Sequence, residues 1–224
     1  MIDPPRIALP VPPPALIETM RADADGSVPL LRFHLERLRV SCQALGYRCD
    51  AQRLKGEITD IAAAAAGSAR RLRLLLQPDG QWTLQTAPLP ALPARPAVVI
   101  WQQRLDPAQA LLRHKTTHRP WYDEATLWLE GHPHCFDALF FNQRGELCEG
   151  SRSNVYLRVD GLWLTPPTSS GCLPGVQRAK LLESGEVQEA LLLASDLHRA
   201  QATRLSNGLR GWFDVLLSEM PGEP

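Results

Sequence analysis

Lysine is scarce in this sequence. Of the 24 basic residues in the 224-residue chain, only Lys55, Lys115 and Lys180 are lysines, so arginine supplies almost all of the positive charge. Arginine stays protonated, whereas a desolvated lysine can lose its proton and then attack a carbonyl or carry a proton. Lys115, in LLRHKTTHRPWYDEA (residues 111–125), is therefore a candidate for chemistry, although chance retention of one lysine among three is the simpler alternative.

Other things that the sequence lacks exclude whole classes of protein. The formal net charge is zero, which argues against a nucleic-acid or membrane-surface role driven by bulk charge. No apolar run is long enough to span a bilayer, and the first residues lack the cationic and apolar segments of a signal peptide. We therefore expect a cytoplasmic protein without nucleic-acid or membrane partners.

Cysteine gives no framework for disulfides or zinc. The five cysteines are odd in number, scattered and without C-x-x-C spacing: Cys42, Cys49, Cys135, Cys148 and Cys172. GHPHC, with His132, His134 and Cys135, has the composition of a metal-ligand cluster, but no fourth ligand is evident. We predict a loop after a helix there, and no metal site.

Proline is concentrated in one segment. PLPALPARP, residues 88–96, holds four prolines in nine residues and cannot continue a central strand or helix. We predict that it links an N-terminal α+β domain, residues 1–87, to a C-terminal strand-rich domain, residues 97–224. The N-terminal domain should contain a strand at ALIETMRA, helices at 31–45 and about 51–66, and a hairpin turning at PDG.

The C-terminal domain should consist mostly of strands with short helices. Its predicted order is a strand at AVVIWQQ, a helix over 120–130, hairpins turning at QRG and DG, a short helix begun by Pro-Gly, a strand and half-helix at EALLLASDLHRA, and two closing strands.

The helix over residues 31–45 carries an unusual polar flank. Its apolar stripe consists of Leu31, Leu35, Leu38, Cys42 and Leu45. His34, Arg37 and Ser41 line up beside that stripe and are of the types that hydrogen-bond phosphate or carboxylate. A solvated helix edge explains the same pattern without a ligand.

Five segments follow one another along the chain: LIETMRADADGSVPLLRFHLERLRVSCQALGY, HKTTHRPWYDEA, GELCEGSRSNVYL, LTPPTSSGCLPGVQRAKLL and LSNGLRGWFDV. Together they resemble the class IV aminotransferases, which are fold-type IV pyridoxal-phosphate enzymes. Each motif alone is weak, but five in the right order over roughly residues 15–217 are specific. The resemblance implies the two-domain fold of the D-amino-acid aminotransferases: an N-terminal α/β sandwich and a C-terminal strand-rich pseudo-barrel domain.

The resemblance also implies roles for particular residues. Lys115 would be the catalytic residue and bond covalently to pyridoxal phosphate, Arg37 would bind the phosphate, and Glu149 would pair with the pyridine nitrogen. Backbone amides at a helix N-terminus would contact the phosphate. The further implied cofactor contacts are Leu173, Gly175, Val176, Gln177, Asn207 and Gly208. The candidate substrate contacts are His118, Arg119, Ser151 and Arg210.

Two departures from the family pattern affect the pocket. Longer members begin with an extra strand and a Y-G-D-G-like segment, where this sequence has a proline-rich stretch. Three residues beyond the lysine the family commonly has asparagine, where this chain has His118. His118 could orient a ligand by hydrogen bonding or could replace asparagine in packing, and we favour packing.

The same site could support two reactions on a small-molecule amine. The short form with IETMR, HKTT and NGLRGW resembles compact 4-amino-4-deoxychorismate lyases, and we rank that activity first. An aminotransferase acting on a D- or branched-chain amino acid is the alternative, and a non-catalytic relative serving as a binding module is a third. By family analogy the protein would be a homodimer.

Overall fold

The computed structural model describes residues 7–218, which form two compact units. Unit 1 extends to Pro90 and also includes His114–His118. Unit 2 comprises Ala91–Arg113 and the chain from Arg119 onward. Within the described residues, no helix is long and apolar enough to cross a membrane.

Unit 1 combines a three-stranded antiparallel sheet with two helices. The sheet order is β1-β2-β3, and Leu16 of β1 pairs with Leu76 of β2. The core lies where Leu16 and Met20 of the sheet meet Leu38, Leu54 and other apolar residues of the helices. The elements are β1 (Leu16–Ala22), α1 (Leu31–Leu45), α2 (Ala51–Ala64), β2 (Arg70–Leu76) and β3 (Trp82–Pro88).

The ends of both helices follow from local chemistry. Gly46 takes the left-handed conformation, φ 73°, in which a residue without Cβ is favoured, and so ends α1 as predicted. The Asp50 side chain accepts a hydrogen bond from the Arg53 N–H at 3.0 Å and caps the start of α2. The helix predicted over residues 51–66 ends at Ala64.

Unit 2 is built on an eight-stranded mixed sheet with the order β6-β5-β4-β11-β10-β7-β8-β9. Strand β4 pairs in parallel with both β5 and β11, and β8 pairs in parallel with β9, while the remaining neighbours are antiparallel. The strands are β4 (Ala97–Ile100), β5 (Cys135–Phe141), β6 (Leu147–Gly150), β7 (Asn154–Val159), β8 (Leu162–Thr165), β9 (Gln188–Glu189), β10 (Ala202–Asn207) and β11 (Gly211–Leu217). The helices are α3 (Asp123–Glu130), α4 (Val176–Glu183) and α5 (Ala194–Arg199).

Strand β5 has apolar residues on both faces and serves two cores. Leu139 and Phe141 belong to a cluster with β7 and β10, whereas Ala138 and Phe140 pack with α3. This follows from the alternation of side chains along a strand, and it explains why CFDALFF is almost continuously apolar.

The α+β composition and the predicted hairpins agree with the structure. Helical structure over residues 120–130 is present as a 3-10 turn, Pro120–Tyr122, followed by α3. Of the strand predicted in EALLLASDLHRA, residues 189–200, only Glu189 lies in a strand, β9 (Gln188–Glu189). GHPHC forms no metal cluster, and none occurs among residues 7–218.

The division into units differs from the predicted domains at one place. The lysine was assigned to the C-terminal domain, but residues 114–118 group with unit 1. The reason is backbone pairing: β1 is an edge strand, and the Ile17 N–H donates to the Lys115 carbonyl at 2.7 Å while the Thr117 N–H donates to the Ala15 carbonyl at 2.9 Å. The predicted linker, residues 88–96, contains the unit boundary between Pro90 and Ala91.

Candidate active site

In unit 1, side-chain bonds add to the backbone pairing that holds the lysine segment. The Thr117 hydroxyl oxygen accepts a hydrogen bond from the Ala15 N–H at 3.0 Å. The Ser41 Oγ lies 3.0 Å from His114 Nδ1, so α1 is tied to the residue directly before Lys115. Lys115 itself is half-buried. A lysine with a fixed main chain and partial burial fits the role predicted for it.

The polar flank of α1 turns inward onto β1. His34 and Ser41 are 1% and 3% exposed, so a solvated helix edge is the wrong explanation for these two residues. Glu18, which is 2% exposed, points from β1 to the same flank. Arg37 donates to Glu18 through both Nε, at 2.8 Å to Oε1, and Nη2, to Oε2.

The three groups form a charged network with one ionised carboxylate. Burial alone would raise the pKa of Glu18, but the Arg37 charge and the hydrogen bonds from Arg37 and His34 outweigh it and lower the pKa to about 2. His34 Nδ1 lies 2.6 Å from Glu18 Oε2 and must therefore carry the proton that it donates. Burial lowers the pKa of His34 and, together with the Arg37 and Lys115 charges, outweighs the opposing effect of Glu18, so the ring is neutral at pH 7.

In unit 2, Glu149 is a buried carboxylate near the end of β6. It pairs with Phe140 of β5 and is 3% exposed. The Tyr122 O–H donates to Oε1 at 2.6 Å, and the Leu173 N–H donates to Oε2 at 3.1 Å. Leu173 was predicted to contact the cofactor, and the contact that the structure gives its N–H is with Glu149.

The loop that follows Glu149 is fixed by a second buried carboxylate, Asp137. Ser151 Oγ donates to Asp137 Oδ1 at 2.6 Å, and Ser153 Oγ and the Arg152 N–H donate to Oδ2. Gly150 passes so close to Asp137 that a Cβ there would collide with the carboxylate. The Ser151 hydroxyl is therefore engaged in shaping this loop, and its substrate role stays a prediction.

Helix α4 begins with backbone amides that no side chain caps. Its N-cap is Gly175, where a Cβ would collide with Asn154 Oδ1, while Asn154 Nδ2 donates to the Leu173 carbonyl at 2.9 Å. The first N–H groups of a helix lack intrahelical partners and are suited to an anion. Val176 and Gln177 thus offer the kind of donors predicted for the phosphate.

The remaining predicted contacts have identifiable local roles. The Asn207 Oδ1 accepts from the N–H of Leu209 at 3.1 Å and of Arg210 at 2.9 Å, which shapes the turn that contains half-buried Gly208. Arg119 Nη2 donates to the Ser151 carbonyl at 2.8 Å, and its guanidinium lies 4.5 Å from the centre of the Tyr122 ring. The His118 carbonyl accepts from the Thr116 hydroxyl at 3.0 Å.

Sequence reasoning missed three residues that position the predicted ones: Glu18, Tyr122 and Asp137. A signal existed for Glu18, because strand alternation places it on the buried face with Leu16 and Met20. No comparable signal existed for Tyr122 or Asp137, whose partners lie 27 and 14 to 16 residues away along the chain.

Comparison with known proteins agrees with the resemblance. Residues 15–217 match the amino-transferase class IV family, and the chain belongs to that family. A protein of Schizosaccharomyces pombe, provisionally assigned as an aminodeoxychorismate lyase, is 28% identical over 197 residues, which is 83% of each chain.

Two solved structures extend this comparison. An amino-acid aminotransferase, provisionally assigned, from Mesorhizobium loti is 37% identical with a TM-score of 0.83, covering 92% of this chain and 100% of that one. A branched-chain amino acid aminotransferase, also provisionally assigned, from Thermotoga maritima is 26% identical with a TM-score of 0.80, covering 95% and 82%. The predicted fold is therefore confirmed.

Pyridoxal phosphate is the cofactor of this family, and the cofactor prediction is confirmed. The chemistry of the described residues fits it. Unit 2 supplies a buried carboxylate that can hold a ring N–H and a helix start whose glycine leaves no room for a Cβ. Unit 1 supplies a half-buried lysine and an arginine, Arg37, for the phosphate.

Proposed function

We propose that the chain is a pyridoxal-phosphate-dependent lyase that converts 4-amino-4-deoxychorismate to 4-aminobenzoate and pyruvate. The observation that carries this choice is the similarity to the S. pombe protein along 83% of each chain. The small-molecule amine substrate is part of the proposal, as are the homodimer and the cytoplasmic location that were expected from the sequence.

The proposed cofactor contacts have separate tasks. Arg37 and the amides of Val176 and Gln177 bind the phosphate, because a guanidinium and free helix amides suit an anion. Glu149 accepts the ring N–H and keeps that nitrogen protonated. Pyridoxal phosphate, when bound, supplies an electron sink for the carbon that carries the amine.

Lys115 is the proposed proton carrier. Its Nζ removes the proton from the amine-bearing carbon of the substrate, the ring carbon–oxygen bond to the enolpyruvyl group breaks, and the ring becomes aromatic. The departing enolpyruvate takes up a proton and becomes pyruvate. The product keeps the amine, so the reaction needs no second substrate. Arg119, Ser151, Arg210 and His118 stay the candidate substrate contacts.

An aminotransferase is the second candidate, and one observation favours it. The M. loti protein is covered over its whole length and shares 37% identity, which is higher than the 28% shared with the S. pombe protein. An aminotransferase returns the cofactor to its starting form only when a keto acid accepts the amine, and this requirement separates the two reactions.

Pyruvate formation without an acceptor tests the proposal. Purified protein loaded with pyridoxal phosphate is mixed with aminodeoxychorismate, and pyruvate is measured by a coupled lactate dehydrogenase assay. The lyase should give continuous turnover, and the Lys115→Ala variant should give none. Absence of pyruvate formation, together with transfer of the amine from a D- or branched-chain amino acid to an added keto acid, would establish the aminotransferase. Failure to bind pyridoxal phosphate would leave a binding module.

A further inference from the structure

The contact between Tyr122 and Glu149 is placed to control how the carboxylate faces a ligand. The two side chains are 3% exposed each, and the phenol oxygen lies 2.6 Å from Oε1. Oε2 accepts the Leu173 N–H at 3.1 Å. Because Tyr122 donates to one oxygen and Leu173 to the other, the carboxylate plane is held at both of its ends.

The direction of this hydrogen bond is also fixed. Burial and the Glu149 charge raise the pKa of Tyr122 well above its ordinary value, so the phenol keeps its proton and donates it. A carboxylate oxygen accepts more than one hydrogen bond. The bonds from Tyr122 and Leu173 hold the orientation of the Glu149 carboxylate, and a carboxylate with about four acceptor sites can receive a ring N–H alongside them.

Tyr122 is itself held in place from two sides. Its ring packs edge to face on Phe140, with centroids 5.0 Å apart at 75°, and Phe140 pairs with Glu149 across β5 and β6. The Arg119 guanidinium lies 4.5 Å from the centre of the same ring. The strand pairing that places Glu149 thus also places the surface on which Tyr122 packs.

We propose that Tyr122 is a positioning residue, which acts on the cofactor ring by fixing the Glu149 carboxylate that receives the ring N–H. The proposal rests on the proposed function, since it requires that Glu149 pair with the ring nitrogen. A purely structural role, filling the core beside Phe140, is the alternative that the experiment has to separate.

A double-mutant cycle in the holoenzyme separates these roles. The variants are Tyr122→Phe, Glu149→Gln and the double variant. The first readout is the dissociation constant of pyridoxal phosphate, measured by titrating cofactor-depleted protein. The second is the position of the visible absorbance band of the bound cofactor. Tyr156→Phe is the matched control, because Tyr156 is a buried tyrosine of the same unit whose hydroxyl bonds Ser206 Oγ at 2.7 Å.

Tyr122→Phe should weaken cofactor binding about tenfold, the effect of one hydrogen bond to a charged group. It should also shift the absorbance band in the direction seen for Glu149→Gln. The double variant should bind no more weakly than Glu149→Gln alone, because Tyr122 acts only through that carboxylate. Tyr156→Phe should leave affinity and band unchanged.

Two results would overturn the inference while leaving the proposed function intact. One is that Tyr122→Phe keeps the wild-type cofactor affinity and absorbance although Glu149→Gln binds the cofactor more weakly. The other is that the losses of binding free energy in the two single variants simply add in the double variant. Wild-type binding by Glu149→Gln would instead remove the proposed role of Glu149 itself. The failures of the two proposals are therefore distinguishable.

A measurement without substitution at Tyr122 covers the case of a variant that does not fold. The chain has three tyrosines, so incorporation of 3-fluorotyrosine gives three fluorine resonances, and Tyr47→Phe and Tyr156→Phe assign the third by elimination. Addition of pyridoxal phosphate should move the Tyr122 resonance more than the other two. An unmoved Tyr122 resonance in protein that has bound the cofactor would contradict the inference.

Discussion

Replacement of Glu18 by glutamine should destabilise unit 1 by an amount that the structure allows us to estimate. The carboxylate is 2% exposed, and the Arg37 and His34 side chains that bond it are buried with it. Its pKa falls from 4.5 to about 2, and at about 1.36 kcal/mol per unit this corresponds to roughly 3 kcal/mol. Loss of one partner of a buried ion pair costs a similar amount, ~3–5 kcal/mol.

The sign of the pH dependence follows from the lowered pKa. A carboxyl group whose folded pKa lies below its unfolded value stabilises the protein above the unfolded pKa, and this contribution is lost as the pH falls through the folded pKa. The wild-type free energy of unfolding should therefore decrease between about pH 5 and pH 2 by this contribution. Glu18→Gln should lack that part of the decrease.

Urea unfolding at pH 7 and at pH 3 measures both effects. Glu36→Gln is the matched control, because Glu36 lies on α1 in an exposed ion pair with Arg39, and such pairs contribute about 0–1 kcal/mol. Equal stability of Glu18→Gln and Glu36→Gln at pH 7 would refute the argument that the buried network stabilises unit 1.

Three further predictions test other parts of the candidate site. Gly175→Ala should weaken pyridoxal phosphate binding at least about tenfold, because a Cβ collides with Asn154 Oδ1 at the start of α4; unchanged affinity by titration would show that this helix start is not a phosphate site. Asp137→Ala should lower the free energy of unfolding by ~3 kcal/mol, because it removes the acceptor for Ser151, Ser153 and the Arg152 N–H. The control is Asp214→Ala, which breaks an exposed ion pair with Arg204 and should lower the same free energy by less than ~1 kcal/mol. Equal losses for the two variants in urea unfolding would contradict the account. Arg37→Lys should weaken cofactor binding about tenfold, because lysine cannot keep the bidentate hydrogen bonds to Glu18. The control, Arg39→Lys on the exposed face of α1, should bind the cofactor as the wild type does in the same titration.

The parts of the fold that the sequence predicts are those determined by nearby residues. The apolar spacing of α1 and the glycine that ends it are both local, and the helix runs over Leu31–Leu45 as predicted. The hairpin of β2 and β3 likewise follows from alternating strands around PDG. Such elements need no knowledge of distant segments.

The features of the fold that the sequence does not predict depend on backbone pairing between segments far apart in the chain. The segment around Lys115 joins unit 1 because its backbone pairs with β1, about 100 residues earlier in the chain, and no local pattern announces that choice. The parallel pairing of β4 with β5 and β11 depends in the same way on connections between remote strands.

The candidate site residues likewise differ in whether a local sequence pattern or a distant partner determines their role. Arg37 was selected by its place beside the apolar stripe of α1, and the structure shows the reason in its contact with Glu18. The residues that orient the predicted ones, Tyr122 and Asp137, carry no local signature because their partners are brought to them by the pairing of β5 with β6 and by the loop that follows.

Mass spectrometry of the borohydride-reduced holoenzyme tests the central claim most directly. Reduction makes a covalent link between pyridoxal phosphate and its lysine permanent, and the chain offers three lysines, Lys55, Lys115 and Lys180, as possible sites. We predict the pyridoxyl phosphate mass on the peptide that contains Lys115 and on neither of the others. A label on Lys55 or Lys180, or no label on protein that has bound the cofactor, would contradict the account.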